Sequence, residues 1–210
     1  MDDVRLSFIA AGATARDVIA SAEAATLWDE PSALPRFTVR GLAGHLARSV
    51  FTVGTYLAGP PPEGVPALTA AGYFAARFPD GDLDSELNSA VRRRGEEEAA
   101  RGHDALLERL DEVLTLLTEQ LPLEPDGRTL RVIGDQPMLL EEYLRTRLVE
   151  LALHIDDLCT SVHISTPDIP GIEVAIRTMV DVSRVHHGDL AVLRAMGRRE
   201  RDADDVLRVF

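Results

Sequence analysis

Cysteine, lysine and long apolar runs are scarce or absent in this sequence. Cys159 is the only cysteine among 210 residues, which excludes a disulfide framework and a zinc site made of thiolates. No lysine occurs, so all 22 basic residues are arginine. No apolar stretch approaches the ~18 residues of a membrane-spanning helix, and the first residues are acidic rather than the basic start of an export signal. We therefore expect a protein of the reducing cytoplasm with no membrane partner.

Basic residues are also fewer than acidic ones, which limits the classes of partner that the protein can bind. The 35 acidic residues outnumber the 22 basic ones, and the formal net charge is -13. The two arginine-rich runs, at 92–94 and 198–201, both lie beside acidic residues. Because binding to nucleic acid depends on a clustered basic face, we expect no nucleic-acid partner.

Helical periodicity dominates the chain and predicts four long amphipathic helices. Thr38 is placed to cap the second helix, and Gly95 and Gly102 are points where the third can bend. A Pro-, Gly- and Asp-rich connection with one short helical piece follows the second helix. A short β-branched stretch before the fourth favours a small hairpin or an extended connector. The predicted helices are 4–27, 39–58, 85–121 and 138–162, and the connection is 60–84.

The residues after the fourth helix add smaller elements. Periodicity predicts a fifth helix over 172–187 and a sixth over 189–200, followed by a strand-like VLRVF ending. These residues are too few for an independent core, so we expect 169–210 to pack as an extension on a bundle formed by 1–168. The predicted fold class is all-α: a four-helix bundle with additional C-terminal helices.

Polar side chains interrupt the apolar face of the fourth helix at helical spacing. Glu150 and His154 lie one turn apart and can reach a common point about 5–6 Å from either Cβ. Arg147 lies one turn before Glu150 on the same flank. A catalytic zinc site typically needs three protein ligands, and His45 on the apolar face of the second helix is the candidate third. The set suits Zn²⁺, with Ni²⁺, Fe²⁺ or Co²⁺ as chemical alternatives.

Each of these residues also has an ordinary structural explanation. An E-x-x-x-H pair is a common ion pair on a helix, and a single buried histidine is usually hydrogen-bonded to a carbonyl. Arg147 suits either a substrate carboxylate or an intrahelical partner such as Glu150. Asp157, one turn after His154, either orients that imidazole or faces solvent. Periodicity alone leaves these alternatives open.

Two segments carry a more specific pattern. FTVRGLAGHLARSV on the second predicted helix and TRLVELALHIDDL on the fourth resemble the mycothiol-dependent maleylpyruvate isomerase N-terminal domain family, part of the DinB and YfiT-like superfamily. The resemblance implies a DinB-like bundle. It also implies that the histidine of the first segment and the E-x-x-x-H pair of the second bind a divalent metal, usually zinc. The implied ligands in this chain are His45, Glu150 and His154.

The resemblance also implies an activity. We expect a mycothiol-dependent thiol transferase or isomerase-like reaction on a small electrophilic substrate, with zinc and mycothiol as cofactors and Arg147 contributing to ligand binding. The isomerases of the family carry a further C-terminal domain, whereas 169–210 is only a short helical extension. The alternative is a noncatalytic metal-binding bundle with a structural, sensing or protein-interaction role. Both a monomer and a homodimer are compatible with the sequence.

Overall fold

Helices account for nearly all regular structure in the part of the chain that the computed structural model describes, which is residues 3–60, 62–64, 68–76, 85–132, 135–200 and 204–207. The helices are α1 (Val4–Ile19), α2 (Ala22–Thr26), α3 (Val39–Leu57), α4 (Ala70–Ala75), α5 (Glu86–Ala99), α6 (His103–Gln120), α7 (Leu140–Ser161), α8 (Ile172–His187), α9 (Asp189–Gly197) and α10 (Asp204–Leu207). One hairpin joins β1 (Thr129–Val132) to β2 (Gln136–Leu139). The predicted all-α class is confirmed. None of these helices combines the length and the apolar character needed to cross a membrane.

Four helices enclose the main core. α1 packs against α6 and α7, and α3 packs against the same two helices, so the four form a closed ring. Each contributes an apolar stripe, because side chains three and four residues apart share one face of a helix. Phe8 of α1, Leu46 of α3, Leu110 of α6 and Leu148 of α7 are all buried in this core. The predicted four-helix bundle is confirmed.

α5 lies outside this ring and crosses α3 at a close helix–helix contact. The contact is made of glycines: a Cβ on Gly44 would overlap the carbonyl oxygen of Gly95, and a Cβ on Gly95 would overlap that of Gly41. Ion pairs between the two helices add to the contact: Arg40 with Glu96, and Arg48 with Glu98. The crossing therefore holds α5 against the part of α3 that carries His45.

The segment before α7 forms a small antiparallel hairpin, one of the two structures that the β-branched stretch suggested. Asp135 turns the chain with a positive φ of 63°. Met138 pairs with Leu130 across the hairpin, and its side chain is fully buried. The fourth helix therefore begins at Leu140 rather than at Met138, because strand pairing occupies the two preceding residues.

Two predicted helices are each divided in the structure. The first is interrupted before Ser21, which caps α2 by accepting a hydrogen bond from the amide of Ala24. The third is broken at Gly102, whose φ of 98° is unfavourable for any residue with a side chain. Gly95 does not interrupt α5, and its role is the close contact with α3.

The C-terminal helices cover one side of the bundle. α8 packs on α7 and α4, while α9 and α10 pack on α8. The buried face of α8 contains Val174, Ala175 and Val182. The division of the chain into 1–168 and 169–210 stays a prediction.

The remaining segments differ in part from the sequence prediction. α9 ends at Gly197 rather than at residue 200, because glycine favours a helix end. The prediction of a strand-like C-terminal ending is wrong for the part that the structure describes, because Asp204–Leu207 is helical. Acidic residues favour the start of a helix. Residues 208–210 lie outside the described residues, as do 61, 65–67 and 77–84 of the predicted connection; α4 is its short helical piece.

Candidate metal centre

α3 and α7 bring three candidate ligands to one point at the edge of the core. His45 belongs to α3, whereas Glu150 and His154 lie one turn apart on α7. The Nε2 atom of His45 is 3.3 Å from Oε2 of Glu150, and Nε2 of His154 is 3.4 Å from the same oxygen. The three ligand atoms all lie within 4.8 Å of one another. The structure thus brings together the three residues that the sequence singled out.

The spacing of these atoms fits a divalent ion. Two ligand atoms that are each about 2.1 Å from a tetrahedral ion lie roughly 3.4 Å apart, which matches both nitrogen–oxygen distances. Two imidazole nitrogens and one carboxylate oxygen form a zinc-type donor set that leaves a fourth position for a further ligand. Across the described residues, no other group of three histidine, cysteine or acidic side chains meets the same spacing.

Burial and neighbouring charges set the protonation of the three side chains. Burial lowers the pKa of His45 and favours a neutral imidazole. Burial opposes the charge of Glu150, but hydrogen bonds from His154 and His45 and the charge of Arg147 hold its pKa well below the usual range. Burial also opposes charge on His154, yet the carboxylates of Asp157 and Glu150 raise its pKa to about 9. At neutral pH the metal-free site therefore holds one neutral imidazole, one carboxylate and one imidazolium.

Asp157 fixes the orientation of one candidate ligand. Its Oδ2 atom is 2.9 Å from Nδ1 of His154. A proton on Nδ1 shared with this carboxylate leaves Nε2 facing Glu150, which is the atom a metal would use. The sequence left open whether Asp157 orients the imidazole of His154 or faces solvent. In the structure its carboxylate contacts the imidazole.

Arg147 is buried beside the three candidate ligands, and its contact with the Glu150 carboxylate is longer than a hydrogen bond. Its side chain lies over the ring of Tyr143, with 4.9 Å between the guanidinium carbon and the ring centroid, and Nε donates to Oγ1 of Thr146. Its Nη2 atom is 3.8 Å from Oε1 of Glu150, beyond hydrogen-bond distance. The intrahelical contact with Glu150 is therefore a long ion pair rather than a hydrogen bond, and Arg147 also lines a cavity beside it.

A cavity of about 70 Å³ lies between α3, α5 and α7, next to His45 and Glu150. His45, Glu150 and Arg147 line it together with residues that the sequence did not indicate. These include Ser49 and Thr52 of α3, Tyr73 of α4, and Leu87, Val91 and Arg94 of α5. Tyr143 donates its hydroxyl proton to Oγ1 of Thr52 at 2.8 Å. Helical spacing could have indicated Ser49 and Thr52, which lie one and two turns after His45, but nothing local indicates that α4 and α5 complete the wall.

The fold and the site together define a class of protein: a helical bundle with a candidate divalent-metal centre between two facing helices. The chain belongs to the mycothiol maleylpyruvate isomerase N-terminal domain family, whose model matches residues 8–159. The matched span contains α3 and all but the last two residues of α7, and the all-α bundle is consistent with the DinB-like superfamily. No curated protein and no solved structure matches the chain significantly.

Proposed function

We propose that this protein is a zinc-dependent, mycothiol-dependent S-transferase or isomerase-like enzyme that acts on a small electrophilic substrate. The observation that carries the proposal is the spacing of the His45, Glu150 and His154 ligand atoms beside a cavity, in a chain of this family. Ni²⁺ or another divalent ion suits the same nitrogen and oxygen donors. The reducing cytoplasm, where a small thiol stays reduced, is the proposed compartment.

The residues of the proposed centre have different roles. Glu150 supplies the anionic ligand, His45 supplies a neutral nitrogen, and Asp157 holds the ring of His154 in position. A divalent cation held by these residues would lower the pKa of a coordinated thiol, so that thiolate would be present at neutral pH. Arg147 faces the cavity with a charge that suits a substrate carboxylate.

Two outcomes follow from the attack of a thiolate on a small electrophile. Addition of the sulfur to a carbon–carbon double bond gives a rotatable single bond, and elimination of the thiol after rotation returns the trans isomer. Attack on an alkyl halide would release the halide ion, and attack on an epoxide would open the ring to an alkoxide that takes up a proton. In both cases the sulfur would stay bonded to the product as an S-conjugate. The wall formed by Tyr143, Tyr73 and Val91 limits water around the reacting atoms in either case.

The test is elemental analysis of untagged wild-type protein, of His154→Ala and of His186→Ala. His186 lies exposed at the end of α8, so its loss controls for removal of an imidazole elsewhere. We expect about one metal ion per chain in the wild type and in His186→Ala, and almost none in His154→Ala. Protein reconstituted with Co²⁺ is then titrated with mycothiol, and a thiolate-to-cobalt absorption band is expected.

The outcomes separate the proposal from its alternative. Stoichiometric metal with no spectral response to mycothiol would indicate a noncatalytic metal-binding bundle. Absence of metal from the wild type would exclude the centre itself. Metal retained in His154→Ala would place the ion elsewhere in the chain.

A further inference from the structure

The C-terminal helix α9 is apolar on two opposite faces. Apart from two charged residues, its side chains are aliphatic, methionine or glycine. Val192 is buried where α9 packs on α8 and α10, whereas Leu190, Leu193 and Met196 are 56%, 68% and 64% exposed. A helix that is apolar all round is normally covered on every side. Within the part of the chain that the structure describes, one face of α9 is therefore uncovered.

The three exposed side chains of α9 form one continuous stripe, because residues three apart share a face of a helix. We call Leu190, Leu193 and Met196 the α9 stripe. The helix end beside it is open too, since a Cβ on Gly197 would meet nothing within 4 Å. Ten large apolar side chains are exposed among the described residues, and six of them belong to α8 and α9. Apolar surface concentrated in this way marks an interaction site, whereas single scattered residues do not.

The α9 stripe is complementary to a second copy of itself. In a dimer with twofold symmetry, the same surface of each chain meets its counterpart. Leu190 and Met196 lie three residues before and three residues after Leu193. If two α9 helices pack antiparallel about Leu193, that residue meets its own copy. Leu190 of each chain then lies opposite Met196 of the other, so all three positions face an apolar side chain.

The charges at the two ends of α9 favour this antiparallel direction. Asp189 is the first residue of the helix, and Arg198 follows its last residue. A parallel pair would bring like charges together at both ends. An antiparallel pair brings Asp189 of one copy towards Arg198 of the other, and it also aligns the two helix dipoles favourably. Asp189 is held at this end of the helix by its bond to Arg184 of the same chain, at 2.7 Å.

The small size of the α9 stripe limits the strength of the contact. A helix of nine residues is about 14 Å long and about 10 Å wide. Stable complexes usually bury about 800 Å² on each partner, and one such helix supplies less. Two chains that each carry a net charge of -13 also repel each other at low salt. We therefore expect a dissociation constant of roughly 10–100 μM, which falls as salt is added.

We propose that this protein forms a weak twofold dimer in which the α9 helices of two copies pack antiparallel about Leu193. The dimer does not depend on the proposed metal chemistry, because α9 contributes neither a candidate ligand nor a residue of the cavity wall. Its partner is a second copy of this chain, and the surface that it uses is the α9 stripe.

Sedimentation velocity of the full chain, from about 5 to 300 μM, tests the association. The average mass of wild type rises towards that of a dimer, whereas Leu193→Asp dissociates at least tenfold more readily. Leu116→Asp is the matched control and associates as wild type does, because Leu116 is a 53% exposed leucine on α6. Circular dichroism checks that both variants keep their helices. A wild type that stays monomeric over this range, or a Leu193→Asp variant that associates equally well, would overturn the proposal.

Cysteine substitutions test the direction of pairing, because the native Cys159 is buried. On mild oxidation, Leu193→Cys forms a disulfide-linked dimer, as expected for a residue that meets its own copy. Leu190→Cys and Met196→Cys crosslink poorly when alone and well when mixed. Leu116→Cys gives the background from random collision. Crosslinking of Leu190→Cys with itself, in preference to Met196→Cys, would show a parallel pair and overturn the proposed arrangement.

Discussion

The proton that His154 holds in the metal-free site must leave when a metal binds. Its pKa of about 9 keeps it protonated at pH 7.5, while His45 is already neutral and Glu150 already ionised. We therefore expect zinc binding at pH 7.5 to release about one proton, falling towards none above pH 9. Calorimetry in two buffers with different ionisation enthalpies measures this number. Release of two protons, or of none, would contradict the assignment of charge.

The same residues set the pH dependence of the metal-free fold. The raised pKa of His154 contributes stability that is complete below the ordinary value of 6.5 and is lost as the pH rises through about 9. The lowered pKa of Glu150 contributes stability above its ordinary value of 4.5, which is lost as the pH falls further. We expect the free energy of unfolding, measured with urea and a chelator, to decline on the alkaline side. An equal decline in His154→Gln would show that another group causes it.

In the proposed centre, Asp157 would act on a bound metal through the imidazole of His154. Asp157→Asn removes the carboxylate that orients the ring, so we expect metal affinity to fall by roughly 10–100-fold. Asp156→Asn is the matched control, because the neighbouring carboxylate is exposed and bonds to Thr166 instead. Competition with a chromophoric chelator gives both affinities. Equal losses in the two variants would point to a general effect of negative charge.

At the scale of elements, the crossing of α3 and α5 depends on the absence of side chains. Gly44→Ala places a methyl group against the carbonyl oxygen of Gly95, and backbone cannot move aside as a side chain can. We expect a loss of at least about 2 kcal/mol in the free energy of unfolding. Thermal or urea denaturation measures it.

The same helix supplies the control for this substitution. A Cβ on Gly54 would lie 3.6 Å from Val113, an ordinary contact, so Gly54→Ala should stabilise α3 by roughly 0.5–1 kcal/mol. Similar stability changes at Gly44 and Gly54 would contradict the tight crossing.

The limits of helical periodicity are visible in particular elements. It predicted α3 and α7 well, because apolar residues recur at helical spacing along the whole length of each. It predicted one continuous third helix with possible bends at Gly95 and Gly102, because the polarity pattern continues across both glycines. The structure shows a full break at Gly102, where φ is positive. Periodicity also extended the fourth helix back to Met138, because the pairing of that residue with Leu130 depends on a strand elsewhere in the chain.

At the scale of the whole molecule, the C-terminal helices are part of the packed structure. α8 covers apolar surface of α7 and α4, and Val174 and Val182 are buried in that contact. We expect a chain truncated after residue 168 to lose at least about 3 kcal/mol of stability, from the exposure of these side chains and their partners. Chemical denaturation of both chains measures the difference. An unchanged free energy of unfolding would mean that 169–210 is independent of the bundle.

For the candidate site, as for the fold, the sequence predicts features that lie within one helix and not those formed between helices. The ligand pair on α7 could be predicted from its spacing, and His45 from its motif, because each signal lies within one helix. The cavity could not, because its wall combines α4 and α5 with the two ligand-bearing helices.

The separation of the ligands along the chain has a consequence for biosynthesis. His45 precedes Glu150 by 105 residues, half of the polypeptide's length, with α4, α5 and α6 between them. On a ribosome that adds about 5–20 residues per second, the second and third ligands are made roughly 5–20 s after the first. A nascent chain that has not reached α7 offers a single ligand. Under the proposed function, metal binding therefore follows the meeting of α3 and α7, late in synthesis.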